Sequence, residues 1–150
     1  MATVEVTFTP LPAHVRTARL VATAVARRSG VDEALLDEVR LAVGEACSRA
    51  VEAHRRHCPA EPVRIEMTDQ DERFVVTVSD HAPTATGRSA VPAAASDSAG
   101  PDRVGNDGVS AIPAGFGLAV ISGLADDVRV LSTSSGVSVR MSWPSAAAPA

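Results

Sequence analysis

The chain has 150 residues, 45% of them hydrophobic and 21% charged, with a formal net charge of −4. That is enough apolar material for one domain with an ordinary core, needing neither disulfide staples nor a structural metal. The acidic balance argues against the basic footprint of a DNA- or RNA-binding surface, and no apolar run approaches the roughly 20 residues that cross a bilayer.

Along the chain, VEVTFT at residues 4–9 alternates apolar and polar as a half-buried strand does, and Pro10 and Pro12 stop it. From Ala13 to Arg28 the residues Val15, Ala18, Leu20, Val21, Ala22 and Val25 recur at helical spacing, and Ser29-Gly30 closes the helix. Asp32 reads as the N-cap of a second helix to about His54, with Leu35, Leu36, Val39, Ala42, Val43, Ala46, Ala50 and Val51 on one face. Residues 63–67 and 74–78 read as two strands joined by the polar turn DQDE at 69–72. Between Asp80 and Gly115 lie roughly thirty residues dominated by Ala, Ser, Pro, Gly and Asp, the length and composition of a mobile lid. GFGLAVISGLA then suits a short buried helix, with Leu118, Val120, Ile121 and Leu124 as core. The strands DVRVLS and GVSVRMSW follow, turning at 134–136. The order strand, helix, helix, two strands, lid, helix, two strands predicts a two-layer α+β sandwich, a mostly antiparallel sheet with helices on one face. One domain is expected over 1–144, with a lid at about 81–114 and a loose tail at 145–150.

Four segments in this order resemble the anti-sigma-factor serine kinases of bacterial partner-switching systems, small members of the histidine-kinase-like (GHKL) ATPase superfamily. They are the helix pair ending in LAVGEACSRAV, the strand exit VTVSDHAP, the stretch GFGLAVISGLADDVRV and the final hairpin. The resemblance implies ATP with magnesium as cofactor, a sigma factor and/or an anti-sigma-factor antagonist protein as partner, and pairing as a homodimer. It assigns Glu45 to the catalytic carboxylate, Asp80 to the aspartate that bonds the adenine amino group, and Gly115 and Gly117 to the phosphate loop.

The chemistry suits those assignments. A helix carboxylate can take a proton from a serine hydroxyl, and glycines at a helix start let backbone N–H groups approach a phosphate. The magnesium-ligand asparagine of the family is Arg49 here, and the glycines expected after Asp80 are replaced, leaving Ala82 in DHAPT. A guanidinium has no lone pair for a metal and is permanently positive, so no metal ligand is assigned. Two roles remain for Arg49. Glu45 and Arg49 stand in the favourable i to i+4 order for a helix ion pair, worth roughly 0.2 to 0.5 kcal/mol if exposed. Alternatively, Arg49 takes over part of the metal's charge and forks onto a triphosphate.

Other polar groups read as structural. Cys47 adjoins the apolar stripe and should pack in the core. His54, His57 and Cys58 in HRRHC lack the fourth ligand that a zinc site needs and read as surface residues. MATVEVTFTP has neither a basic start nor an apolar run, so a reduced, cytoplasmic protein is expected. Two functions follow: a binding regulator with ATP and magnesium binding weakened or lost, or an active serine kinase acting on an antagonist.

Overall fold

A computed structural model describes the backbone of residues 2–82 and 114–145 and the side chains of 3–82 and 119–145. The expected lid and tail fall outside these residues, except for positions 81, 82, 114 and 145.

Five strands form one antiparallel sheet in the order β1-β2-β3-β5-β4. They are β1 (Ala2–Phe8), β2 (Val63–Gln70), β3 (Arg73–Ser79), β4 (Asp127–Thr133) and β5 (Gly136–Pro144). Register follows the period-2 pattern: Val4 lies opposite Met67, Ile65 opposite Val78 and Val76 opposite Met141, so apolar side chains align on one face. The opposite face carries Glu5, Arg64, Glu66, Thr77 and Arg140, and Arg64 pairs there with Glu5 and Glu66.

Three helices cover the apolar face: α1 (Pro12–Arg28), α2 (Leu36–His57) and α3 (Ala114–Leu124). Pro12 sits in the first turn of α1, where its missing N–H costs nothing. Gly30, at φ 92°, turns the chain out of that helix. Asp32 caps as expected, its side chain accepting from the Ala34 N–H at 2.9 Å. What it caps is a short 3-10 turn (Glu33–Leu35) leading into α2. Ten residues of α2 are buried, Val39, Ala42, Val43 and Ala46 among them, so α2 is the central helix, packed against α1, α3 and the sheet. The core joins this stripe to Ile65, Met67, Phe74, Val76, Val78, Val139, Met141 and Trp143. Trp143 is buried, and its indole N–H donates to the Leu124 carbonyl at 3.0 Å, which pins the end of α3 to β5.

The observed α+β sandwich is the expected one, and each predicted strand and helix exists within a few residues of its expected limits. Two apolar expectations differ. Leu20, counted into the first helix's stripe, is 61% exposed, because α1 buries Val15, Ala18, Ala22 and Ala26 instead. On α3, Ile121 is buried but Val120 is 42% exposed.

The β2–β3 turn is tighter than the four residues expected. Only Asp71 and Glu72 lie outside the strands, both left-handed at φ 53° and 60°. Asn-Gly suits that turn better than Asp-Glu, because a side chain at positive φ is strained. Replacing Asp71→Asn together with Glu72→Gly should therefore raise stability by about 1 kcal/mol, read as a higher urea midpoint at unchanged slope. A lowered midpoint would contradict the strain argument.

Candidate functional site

The site begins where β3 ends. Asp80 follows the last strand residue and is buried, and its backbone N–H donates to the Val137 carbonyl at 2.9 Å, which ties the exit to the start of β5. Its side chain turns inward, and both carboxylate oxygens are hydrogen-bonded. Oδ1 accepts from the Ala82 N–H at 3.0 Å and the Val137 N–H at 3.2 Å, and Oδ2 accepts from Arg49 Nη2. Arg49 reaches it from the middle of α2, with 14% of its side chain exposed against 1% for Asp80. The strongest polar contact of the site is thus a buried, charge-assisted ion pair between helix and sheet, reinforced by two backbone donors.

Of the two roles open to Arg49, the helix pair with Glu45 is not the one formed: its partner is Asp80. The physical reason is burial. A carboxylate closed off from water at the strand exit needs a cation far more than a half-buried one on the helix does. Glu45 is left half-buried, with Oε1 enclosed and hydrogen-bonded to nothing among the described residues, and the same holds for Arg49 Nε. Gly115 and Gly117 lie in the first turns of α3, and α3 and β3 both pack against α2.

Gly136 makes the Asp80 position possible. It lies at φ +151°, and a Cβ there would stand 2.1 Å from the Asp80 carbonyl oxygen and 3.1 Å from the His81 Cα. Backbone rather than a flexible side chain occupies that space, so no relaxation of a rotamer can relieve it.

The cysteines are inert by environment. Cys47, fully buried two residues after Glu45, has its thiol pushed up to about 12 by burial, partly opposed by the Arg19 charge. Desolvation, and then the nearby Glu61 and Asp80 charges, also raise the Cys58 thiol. Neither is a thiolate at neutral pH. Among the described residues no cluster of His, Cys, Asp or Glu could hold a metal ion.

His54, expected at the surface from HRRHC, is instead completely buried. It bonds the Glu61 carbonyl through Nδ1 and the His81 amide through Nε2, both at 2.8 Å. The signal was present in the spacing. Position 54 continues the buried series 43, 46, 47, 50 and 51 of α2 at intervals of three and four.

Residues 8–143 match the histidine kinase-like ATPase domain family, and the chain belongs to that family. Its fold is similar to the crystal structure of the RsbU and RsbW domains of Rv1364c from Mycobacterium tuberculosis. The TM-score is 0.65 at 15% identity, over 97% of this chain and 33% of that one. At such identity the likeness is one of fold, and the chain spans about a third of the other's length. No curated protein sequence matches it.

A domain of this family implies ATP with magnesium. The donor set in this chain fits that group poorly: the position assigned to a neutral metal ligand is a guanidinium, and the carboxylate assigned to the base edge already holds three donors.

Gly136→Ala should unfold the site locally and cost roughly 2 to 3 kcal/mol, combining positive-φ strain with a backbone clash. Thermal denaturation beside a conservative surface control would read the loss. A variant as stable as the parent would contradict the packing of Gly136 on Asp80.

Proposed function

We propose that this chain is an anti-sigma-factor-like regulator of a bacterial partner-switching system, binding a sigma factor and/or an anti-sigma-factor antagonist protein, in which ATP and magnesium binding is weakened or lost. The observation that carries this reading is the Arg49–Asp80 ion pair. An arginine at the metal-ligand position answers the aspartate that would otherwise face an adenine, so one substitution removes the cation anchor and occupies the base reader together.

Loss of ATP does not prevent protein binding. A stable complex needs about 1,200 to 2,000 Å² of total buried surface, which a domain of this size supplies without catalysis. Phosphoryl transfer, by contrast, depends almost wholly on positioning and on neutralising charge, and an absent metal ligand removes both. The solved neighbour's RsbW domain, whose fold this chain shares, supports placing it in the partner-switching context.

A second reading has one observation in its favour. Glu45 Oε1 is enclosed and takes no hydrogen bond among the described residues, as a general base waiting for a serine hydroxyl would be. Under that reading the chain is an ATP-dependent serine kinase acting on an antagonist, and Arg49 must leave Asp80 to bind the triphosphate. The cost of stripping a buried carboxylate of its cation favours the binding regulator.

Calorimetric titration of the wild-type chain with ATP and magnesium should give no micromolar binding. The double change Arg49→Asn, Ala82→Gly should create it. Micromolar binding to the wild type, with phosphate transferred to an antagonist, would establish the kinase instead.

A further inference from the structure

The β3 exit is tied to α2 a second time, by His54, whose ring spends both of its nitrogens on hydrogen bonds there. His54 lies fully buried near the end of α2, with its Nδ1 2.8 Å from the Glu61 carbonyl oxygen. A carbonyl only accepts, so Nδ1 carries the ring proton. Its Nε2 lies 2.8 Å from the His81 backbone nitrogen. An amide N–H only donates, so Nε2 must be bare. Together the two partners select one neutral tautomer and use both ring nitrogens.

We infer that His54 is a proton-sensitive latch: neutral, it holds residues 80–82 against α2 and keeps Asp80 closed on Arg49; protonated, it turns the His81 amide away and frees that segment to move. The step balances simply. Nε2 takes one proton from solvent, the N–H···N bond from His81 is lost because two N–H groups now face each other, and no covalent bond breaks. This rests on the reading above, in which the Arg49–Asp80 pair is the closed state of the cleft.

The hydrogen bonds of the ring and of its partners join it to these charged and titratable groups among the described residues. Glu61 and Cys58 come from the connection between α2 and β2, His81 and Asp80 from the β3 exit, and Arg49 reaches Asp80 from α2 itself. Asp80 is already matched by Arg49. The Glu61 carboxylate lies 3.9 Å from His81 Nδ1 and would stabilise charge on the exposed His81 ring. That ring is 6.0 Å from His54 between centroids, so charge on both rings would repel and act in the opening direction.

Amide hydrogen exchange on the full chain tests the latch through the His81, Ala82 and Val137 N–H groups, the donors to His54 and Asp80. Protection factors, corrected for intrinsic base catalysis, are compared at about pH 8 and about pH 5, which bracket histidine titration. In the wild type, protection at all three should fall about tenfold, the size of one lost hydrogen bond. His54→Gln, whose amide donates and accepts without titrating, should stay flat. His81→Asn, which keeps the backbone donor and removes the second ring, should fall as the wild type does.

An equal fall in His54→Gln overturns the latch, as does a flat response in His81→Asn. Ring-nitrogen shifts of His54 in the wild type report its protonation directly, so the test stands even if His54→Gln fails to fold. A ring that stays neutral down to about pH 5, or one that protonates while His81 protection holds, also overturns the proposal. Binding of magnesium-ATP at about pH 8 would defeat the closed-cleft reading whatever His54 does; a His81 amide indifferent to pH defeats the latch alone.

Discussion

One buried ion pair organises the site. Asp80 is a carboxylate withdrawn from water at a strand exit, and a charge so placed persists only if nearly every lone pair is answered. Arg49 supplies the cation, Ala82 and Val137 supply backbone donors, and Gly136 supplies the space. These four residues come from three segments: the central helix, the β3 exit and the beginning of β5. The constraint therefore runs from chemistry to fold. Satisfying Asp80 fixes how α2 sits on the sheet at the β3 exit.

The same helix carries three polar residues that a purely apolar stripe would not contain: Glu45, Arg49 and His54. Arg49 and His54 both hold the β3 exit, one through the Asp80 side chain and one through the His81 backbone. Glu45 holds nothing among the described residues. Two of these three polar groups are thus drawn into internal bonds.

Much of the fold was legible in the sequence because period and punctuation agree. Period-2 runs bounded by proline, glycine and polar turns gave the strands, and the series through Val39, Val43, Ala46 and Ala50 gave the central helix. The less legible features all depend on partners distant in sequence. Arg49 lies four residues from Glu45 and thirty-one from Asp80, and helical spacing favours the near carboxylate while burial selects the far one. His54 continues a buried series, yet the charged residues that follow it in HRRHC suggested a surface. Leu20 falls on a stripe by spacing, but four smaller residues of α1 fill the interface instead. The positive φ values of Asp71 and Glu72 contradict local preference and are imposed by the strands on either side.

The central claim is that Arg49 and Asp80 are energetically one unit. A double-mutant cycle with Arg49→Ala, Asp80→Ala and both together, read by denaturant unfolding, isolates that coupling from the cost of each truncation. For a buried, hydrogen-bonded pair the account predicts a coupling of about 2 kcal/mol or more. A coupling within about 0.5 kcal/mol of zero, the value of a solvated surface pair, would contradict it.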